Sequence, residues 1–191
     1  MLRNYLKVAL RNLVRHKAFS FINLLGLSIG MACAVLILFY VRHELSYDQY
    51  HAQKDRIFRL VTKVQGAAYE AIAKVPGPWG MVAKQDMPEV QEMARFVFIN
   101  ETLVSRGEKR FYEEGGLYAD PTVFEVFSFS LLKGNPKTAL TQPNSVIITR
   151  DFAKKYFGDE EPLGQRLSFD NRNEYLVTGL MPTIPANSHF F

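Results

Sequence analysis

The residues of this 191-residue chain that could do chemistry are four histidines, one cysteine and a few clustered carboxylates. His43 and His51, with Glu44 and Asp48 between them, offer imidazole and carboxylate donors of the kind that hold a metal. They lack the HExxH or CxxC spacing that would put two ligands on one face, so they read better as solvated polar residues at a helix end. His16 and His189 have no such companion either. Glu113-Glu114 and Asp159-Glu160-Glu161 could serve as paired acids, but both read as exposed loop charges, the second beside a turn. No Gly-xxxx-Gly-Lys-Ser/Thr loop is present, so no Walker-type ATP site is expected, and no nucleophile has a base beside it in sequence. The expectation is a chain with no catalytic residue, no metal and no cofactor. Function must then lie in the elements themselves.

The strongest element is "FSFINLLGLSIGMACAVLILFYV", residues 19–41, without a charge over twenty-three positions. As a helix it is roughly 34 Å long, enough for a hydrocarbon core of about 30 Å, whereas the apolar part of a signal peptide has only about 7–15 residues. Gly30-Met31-Ala32-Cys33 has the small residues before cysteine of a lipoprotein cleavage site. It lacks the leucine three positions before the cysteine, and eight more apolar residues follow it, so a plain lipid-facing or packed thiol fits better.

Charge gives the orientation. Arg3, Lys7, Arg11, Arg15 and Lys17 precede the span, and no acid occurs before Glu44. The positive-inside rule puts the N-terminus in the cytoplasm and residues 42 onward across the membrane. Residues 1–42 carry six Lys/Arg and no acid, whereas 43–191 carry seventeen against nineteen acids. The basic character therefore belongs to the tail, and the outer part lacks the basic excess that nucleic-acid binding requires.

Within the tail, Leu2, Tyr5, Leu6, Ala9, Leu10, Leu13 and Val14 recur at helical spacing, and Arg3, Lys7, Arg11 and Arg15 form a four-residue stripe opposite them. Such a helix lies in the inner-leaflet interface with its basic face on anionic lipid. It is either a generic topogenic tail or a fixed helix bearing on a cytoplasmic partner. Inside the span, Gly26, Gly30 and Ala34 make a small-xxx-small face that lets a second helix approach closely, unless these are simply the glycines common in membrane helices. The organisation expected is an interfacial helix over 1–17, a transmembrane helix over 18–42 and an extracytoplasmic domain over 43–191.

That domain reads as α+β. "IFRLVTKV" (57–64) and "AYEAIAKV" (68–75) suggest strands joined by a Gln65-Gly66-Ala67 turn, and "WGMVAKQDM" a helix ending before Pro88. Residues 93–99, 102–106 and 110–119 suggest three strands, with a turn at Arg106–Lys109. Asp120 and Pro121 look like the N-cap and first position of a helix over 120–127. "SVIIT", a short helix closed by Gly158, and a hairpin of "QRLSFD" with "EYLVTGLM" complete it. Phe124, Phe127, Phe129 and Leu131 could cover a core at a helix-to-strand corner, and Phe152, Tyr156 and Phe157 could form the inner face of the short helix.

The segment "YLKVALRNLVRHKAFSFINLLGLSIGMACAVLILFYVRHELSYDQYHAQKDRIFRL", and later "FEVFSFSLLKGNP", "SVIITRDFAKKYFG" and "PLGQRL", resemble the N-terminal half of FtsX-like ABC transporter permeases of the MacB type. The resemblance implies a first transmembrane helix and a MacB-like periplasmic core domain in a bacterial inner membrane. It also implies dimerisation with a like or unlike permease through membrane helices, and a separate or fused cytoplasmic ABC ATPase. ATP-driven closing would then travel along a stiff span to the outer domain, which exports or releases a substrate; no proline occurs from residue 1 to 75 to kink that path. Full permeases continue into three further spans, so the outer domain is expected to be truncated at its C-terminal end and the chain to be a fragment. The rival functions are a single-pass anchored periplasmic binding or interaction module without transport activity, and an anchored envelope enzyme.

Overall fold

The computed structural model describes residues 2–63 and 72–190. The chain divides into two compact units, Met1–Tyr47 and Asp48–Phe191.

In the first unit, α1 (Leu2–Arg15) is followed by α2 (Lys17–Glu44). One residue separates the two helices. His16 leaves helical geometry at φ −111°, ψ 57°, although its N–H still reaches the Asn12 carbonyl and its carbonyl accepts from Ser20 N. With no proline, the 28-residue α2 then runs undisturbed and buries none of its residues within the chain. Arg42 and His43 occupy its last turn, where cationic or polar donors complement the negative end of the helix dipole.

The second unit is built on a five-stranded mixed sheet in the order β2-β1-β4-β5-β3. β1 (Phe96–Arg106) and β2 (Lys109–Ala119) form a long hairpin turned at Gly107, whose φ of 58° suits a residue without a Cβ. β1 meets β4 (Arg166–Phe169) through Val104 and Ser105. β4 and β5 (Asn173–Met181) make a second hairpin, in which Asp170 and Asn171 both take positive φ. β3 (Ser145–Thr149) lies parallel to β5 with an irregularity between Val146 and Ile147. The two strands expected over 93–106 are thus one, and the mixed α/β composition is as expected.

Two short helices precede the fifth: α3 (Pro78–Asp86) and α4 (Val123–Val126). α4 starts later than its sequence suggests, because the Asp120 carboxylate is taken by Arg95. The third, α5 (Arg150–Phe157), begins at a cap the sequence reading passed over: Thr149 accepts from Phe152 N at 3.3 Å. α5 ends at Gly158, whose φ of 65° and ψ of −118° only glycine adopts freely. Its inner residues Ala153, Tyr156 and Phe157 join Val104, Ile148, Leu167 and Val177 in the core, and Lys154 and Lys155 face solvent.

Past the end of β4, residues 132–133 take its place beside β5, with Leu180 N donating to the Lys133 carbonyl and Leu132 N to the Leu180 carbonyl. Gly134 allows this. A Cβ there would stand 2.5 Å from the Thr178 carbonyl oxygen and 3.0 Å from Gly179 Cα. The hairpin expected over 57–75 is reduced, among the described residues, to one antiparallel bridge between Thr62 and Ile72, and its Gln65-Gly66-Ala67 turn lies outside them.

Candidate functional site

In the membrane-type unit, every sequence-derived position lies on a helix. Lys7, Arg11 and Arg15 are exposed on α1; Arg3 is in the same helix, and its side chain falls outside the described residues. Gly26, Gly30 and Ala34 line α2 at four-residue steps. A Cβ built on either glycine meets nothing within 4 Å, so the face is free to receive another helix. Ser28 turns its hydroxyl back to the Leu24 carbonyl at 2.7 Å, which satisfies the group without a partner helix. Cys33 is exposed on the same helix.

The outer unit places its polar chemistry elsewhere than the sequence suggested. His51 is not at a solvated helix end: it is 3% exposed and set among aromatic rings. Phe127 and Phe129 stand edge-on to it at 5.2 Å each, Tyr50 lies at 4.1 Å, and Phe190 packs on both phenylalanines. Ser128 N donates to His51 Nδ1 at 3.2 Å, which fixes the neutral tautomer with its proton on Nε2. No hydrogen-bond partner meets Nε2. Burial lowers the imidazole's affinity for a second proton, against a smaller opposite pull from Asp48.

Asp48 ties the segment of His51 to residues 187–189. It accepts from Ser188 Oγ at 3.1 Å and His189 N at 3.2 Å, and pairs with His189 Nδ1 at 2.5 Å. Its own N–H donates to the Asn187 carbonyl, and Tyr50 Oη shares a 2.9 Å hydrogen bond with Ser188. Burial alone would raise the Asp48 carboxyl; the bonds from His189 and Ser188 outweigh it and hold the group below the usual carboxylate range. We call this knot of 48–52, 127–129 and 187–190 the stem. Sequence reasoning missed it, though the Phe127 and Phe129 core assignment pointed toward it.

Three of the five carboxylates read as loop charges, Glu113, Glu160 and Glu161, have side-chain partners. Glu113 is on β2, where it accepts from Tyr156 Oη at 2.6 Å and Lys155 Nζ at 2.6 Å. Burial and this neighbour together push the Tyr156 phenol up. Glu160 binds Arg106 at 2.6 Å, with the guanidinium stacked 4.3 Å over Phe157 and donating to the Tyr156 carbonyl; Glu161 binds Lys133. Arg95 forks onto Asp120 with two 2.8 Å bonds, closing the open end of the β1–β2 hairpin. These pairs stitch elements together. Among the described residues, no three or more His, Cys, Asp or Glu gather as a metal site would need.

The family model of the MacB-like periplasmic core domain matches residues 20–191. The chain belongs to that family. The match starts inside α2, so membrane helix and outer domain belong to one family unit. MacB-like periplasmic core domains are parts of permease-type ABC transporters, and this family together with one N-terminal apolar helix fits an inner-membrane anchor. Among solved structures, a domain of a protein described as a permease from Porphyromonas gingivalis is similar at TM-score 0.55 and 22% identity, covering 68% of this chain and 56% of that one. This MacB-like chain thus spans little more than half the length of that relative, and the likeness is one of fold. The periplasmic region of MacB from Actinobacillus actinomycetemcomitans is similar at TM-score 0.41 and 20% identity over 53% of this chain and 47% of that one. No curated protein matches.

Proposed function

We propose that the chain is the permease side of an ABC transporter, carrying movement from a cytoplasmic ATPase to a periplasmic domain that exports or releases an envelope substrate. The observation that carries this reading is the uninterrupted 28-residue α2 leading directly into the matched outer domain. A helix with all its backbone hydrogen bonds satisfied internally can cross lipid and transmit displacement along its axis. In this reading α1 spreads Arg3, Lys7, Arg11 and Arg15 on anionic lipid at the cytoplasmic surface, and residues after about 42 lie outside. The Gly26, Gly30 and Ala34 face packs on a second permease, alike or different. In this reading the chain itself performs no catalysis, its Arg106–Glu160 and Lys155–Glu113 pairs joining elements of the fold, and a partner subunit hydrolyses the nucleotide.

The test is a cysteine placed at Gln53 in a Cys33→Ala background and probed with a membrane-impermeant maleimide. Right-side-out vesicles should label and inside-out vesicles should not. Adding the cytoplasmic ABC ATPase that this reading requires, with ATP, should then change the labelling rate at Gln53. Labelling from the cytoplasmic side overturns the topology. Correct topology with no nucleotide effect overturns the transporter and leaves an anchored interaction module.

A further inference from the structure

The most exposed large apolar side chain among the described residues is in the outer unit, not the span. Phe58 is 86% exposed, against 69% for Phe19, the most exposed large apolar residue of α2. Leu60 and Val61 beside it are each 47% exposed, and the bridge from Thr62 brings Ile72, 41% exposed, alongside. An aromatic ring left almost wholly in water on a domain with a formed core marks a contact surface.

The charge around this strip names the occupant. Residues 52–63 hold Lys54, Arg56, Arg59 and Lys63 against one acid, Asp55, and all are exposed, while residues 43–191 as a whole carry more acids than bases. Lys54 donates to Gln49 and Arg59 to the Ala73 carbonyl at 3.3 Å; among the described residues neither cation is paired with a carboxylate. A ring and aliphatic side chains framed by cations match the boundary of an anionic bilayer, where apolar groups enter the acyl region and cations meet lipid phosphates. A second copy of the chain would have to bring acids to this strip.

We propose that residues 54–61 form a second membrane contact, seating Phe58 in the headgroup region of the leaflet on the side of the outer domain. This rests on the reading that α2 anchors the chain. The anchor makes the contact intramolecular, so a surface too weak to bind a bilayer from solution still engages.

The experiment places the full chain, with Cys33→Ser, in nanodiscs of equimolar phosphatidylglycerol and phosphatidylcholine or of phosphatidylcholine alone. A nitroxide is attached at Phe58→Cys, at Tyr112→Cys on the sheet, or at Leu36→Cys in the span, and its accessibility to oxygen and to an aqueous nickel chelate is compared. The label at 58 should favour oxygen in phosphatidylglycerol discs and the label at 112 should favour nickel. Replacing Lys54, Arg56, Arg59 and Lys63 by Gln should lower the ratio of seated to lifted states by about fivefold for each charge removed. A label at 58 as wet as that at 112, with 36 still dry, overturns the proposal and spares the anchor. Wet labels at both 58 and 36 overturn the anchor. Spin–spin broadening at 58 that vanishes on dilution with unlabelled chain overturns the bilayer contact in favour of a second copy.

Discussion

The outer unit holds itself together in two ways. Around α5, strands β1, β4, β5 and β3 press Val104, Leu167, Val177 and Ile148 onto Tyr156, and the first three and Tyr156 are at most 1% exposed. The stem joins residues 48–52, 127–129 and 187–190 through half-buried phenylalanines, a histidine and a carboxylate. The first is a dense cluster of aliphatic side chains around the rings of Tyr156 and Phe157. The second is aromatic and polar, and each of its parts comes from a different stretch of chain. Dispersion and hydrophobic burial make the first hard to open in part, since any void forfeits contacts on all sides. In the stem, a few hydrogen bonds decide whether three strands of chain stay together, so it can open while the sheet persists.

The sharpest way to break this contrast is to injure the dense half. Tyr156→Ala removes a wholly buried ring stacked on Phe152 at 4.6 Å and should cost about 3–5 kcal/mol, with hydrogen exchange rising throughout the outer unit. If only α5 amides respond, the core is not one cooperative body. Gly134→Ala, by driving a methyl into the Thr178 carbonyl, should cost about 2–3 kcal/mol and free Leu180 first, read in the same exchange experiment. Phe127→Ala should cost about 2 kcal/mol, less than a fully buried ring because the site is only partly enclosed. Faster exchange confined to Ala52, Ser128 and His189 supports a separately opening stem. Asp48→Asn keeps a residue tolerant of its φ of 53° but removes the charge; a loss of about 1 kcal/mol, again confined to the stem, is expected from thermal melting with exchange readout.

The smallest effect is one of pH. Unfolded His51 takes a proton near 6.5, the buried ring only below that, so the unfolded chain gains the proton first. Stability present above that value is therefore lost as pH falls through it toward the lowered folded value. His51→Phe should flatten this decline in a denaturant titration; an unchanged slope would place the sensitivity on another group. The Asp48 carboxyl acts at lower pH, its contribution being present above the ordinary carboxylate value of 3.8 and lost as pH falls through its depressed folded value.

Much of the dense half was legible in the sequence. The short β-branched apolar run in "SVIIT", the Gly158 stop and the aromatic spacing of Phe152, Tyr156 and Phe157 are local signals, and the structure follows them. The span was legible because twenty-three uncharged residues admit few alternatives. The stem was not, since Asp48 and Ser188 meet across 140 positions and no local pattern announces it. For the same reason Asp120 looked like a helix cap: nothing nearby in sequence reveals that Arg95 claims its carboxylate. His51 looked solvated because a polar residue beyond an apolar helix ordinarily is; its enclosing rings come from residues 127, 129 and 190. Glu113 deceived in the opposite sense, its alternation on β2 being visible but its tyrosine partner not.

Asp48 and His189 touching has a topological corollary. The contact closes a loop across 141 positions, so the residues between cannot rearrange as a whole without breaking it or carrying both of its ends along.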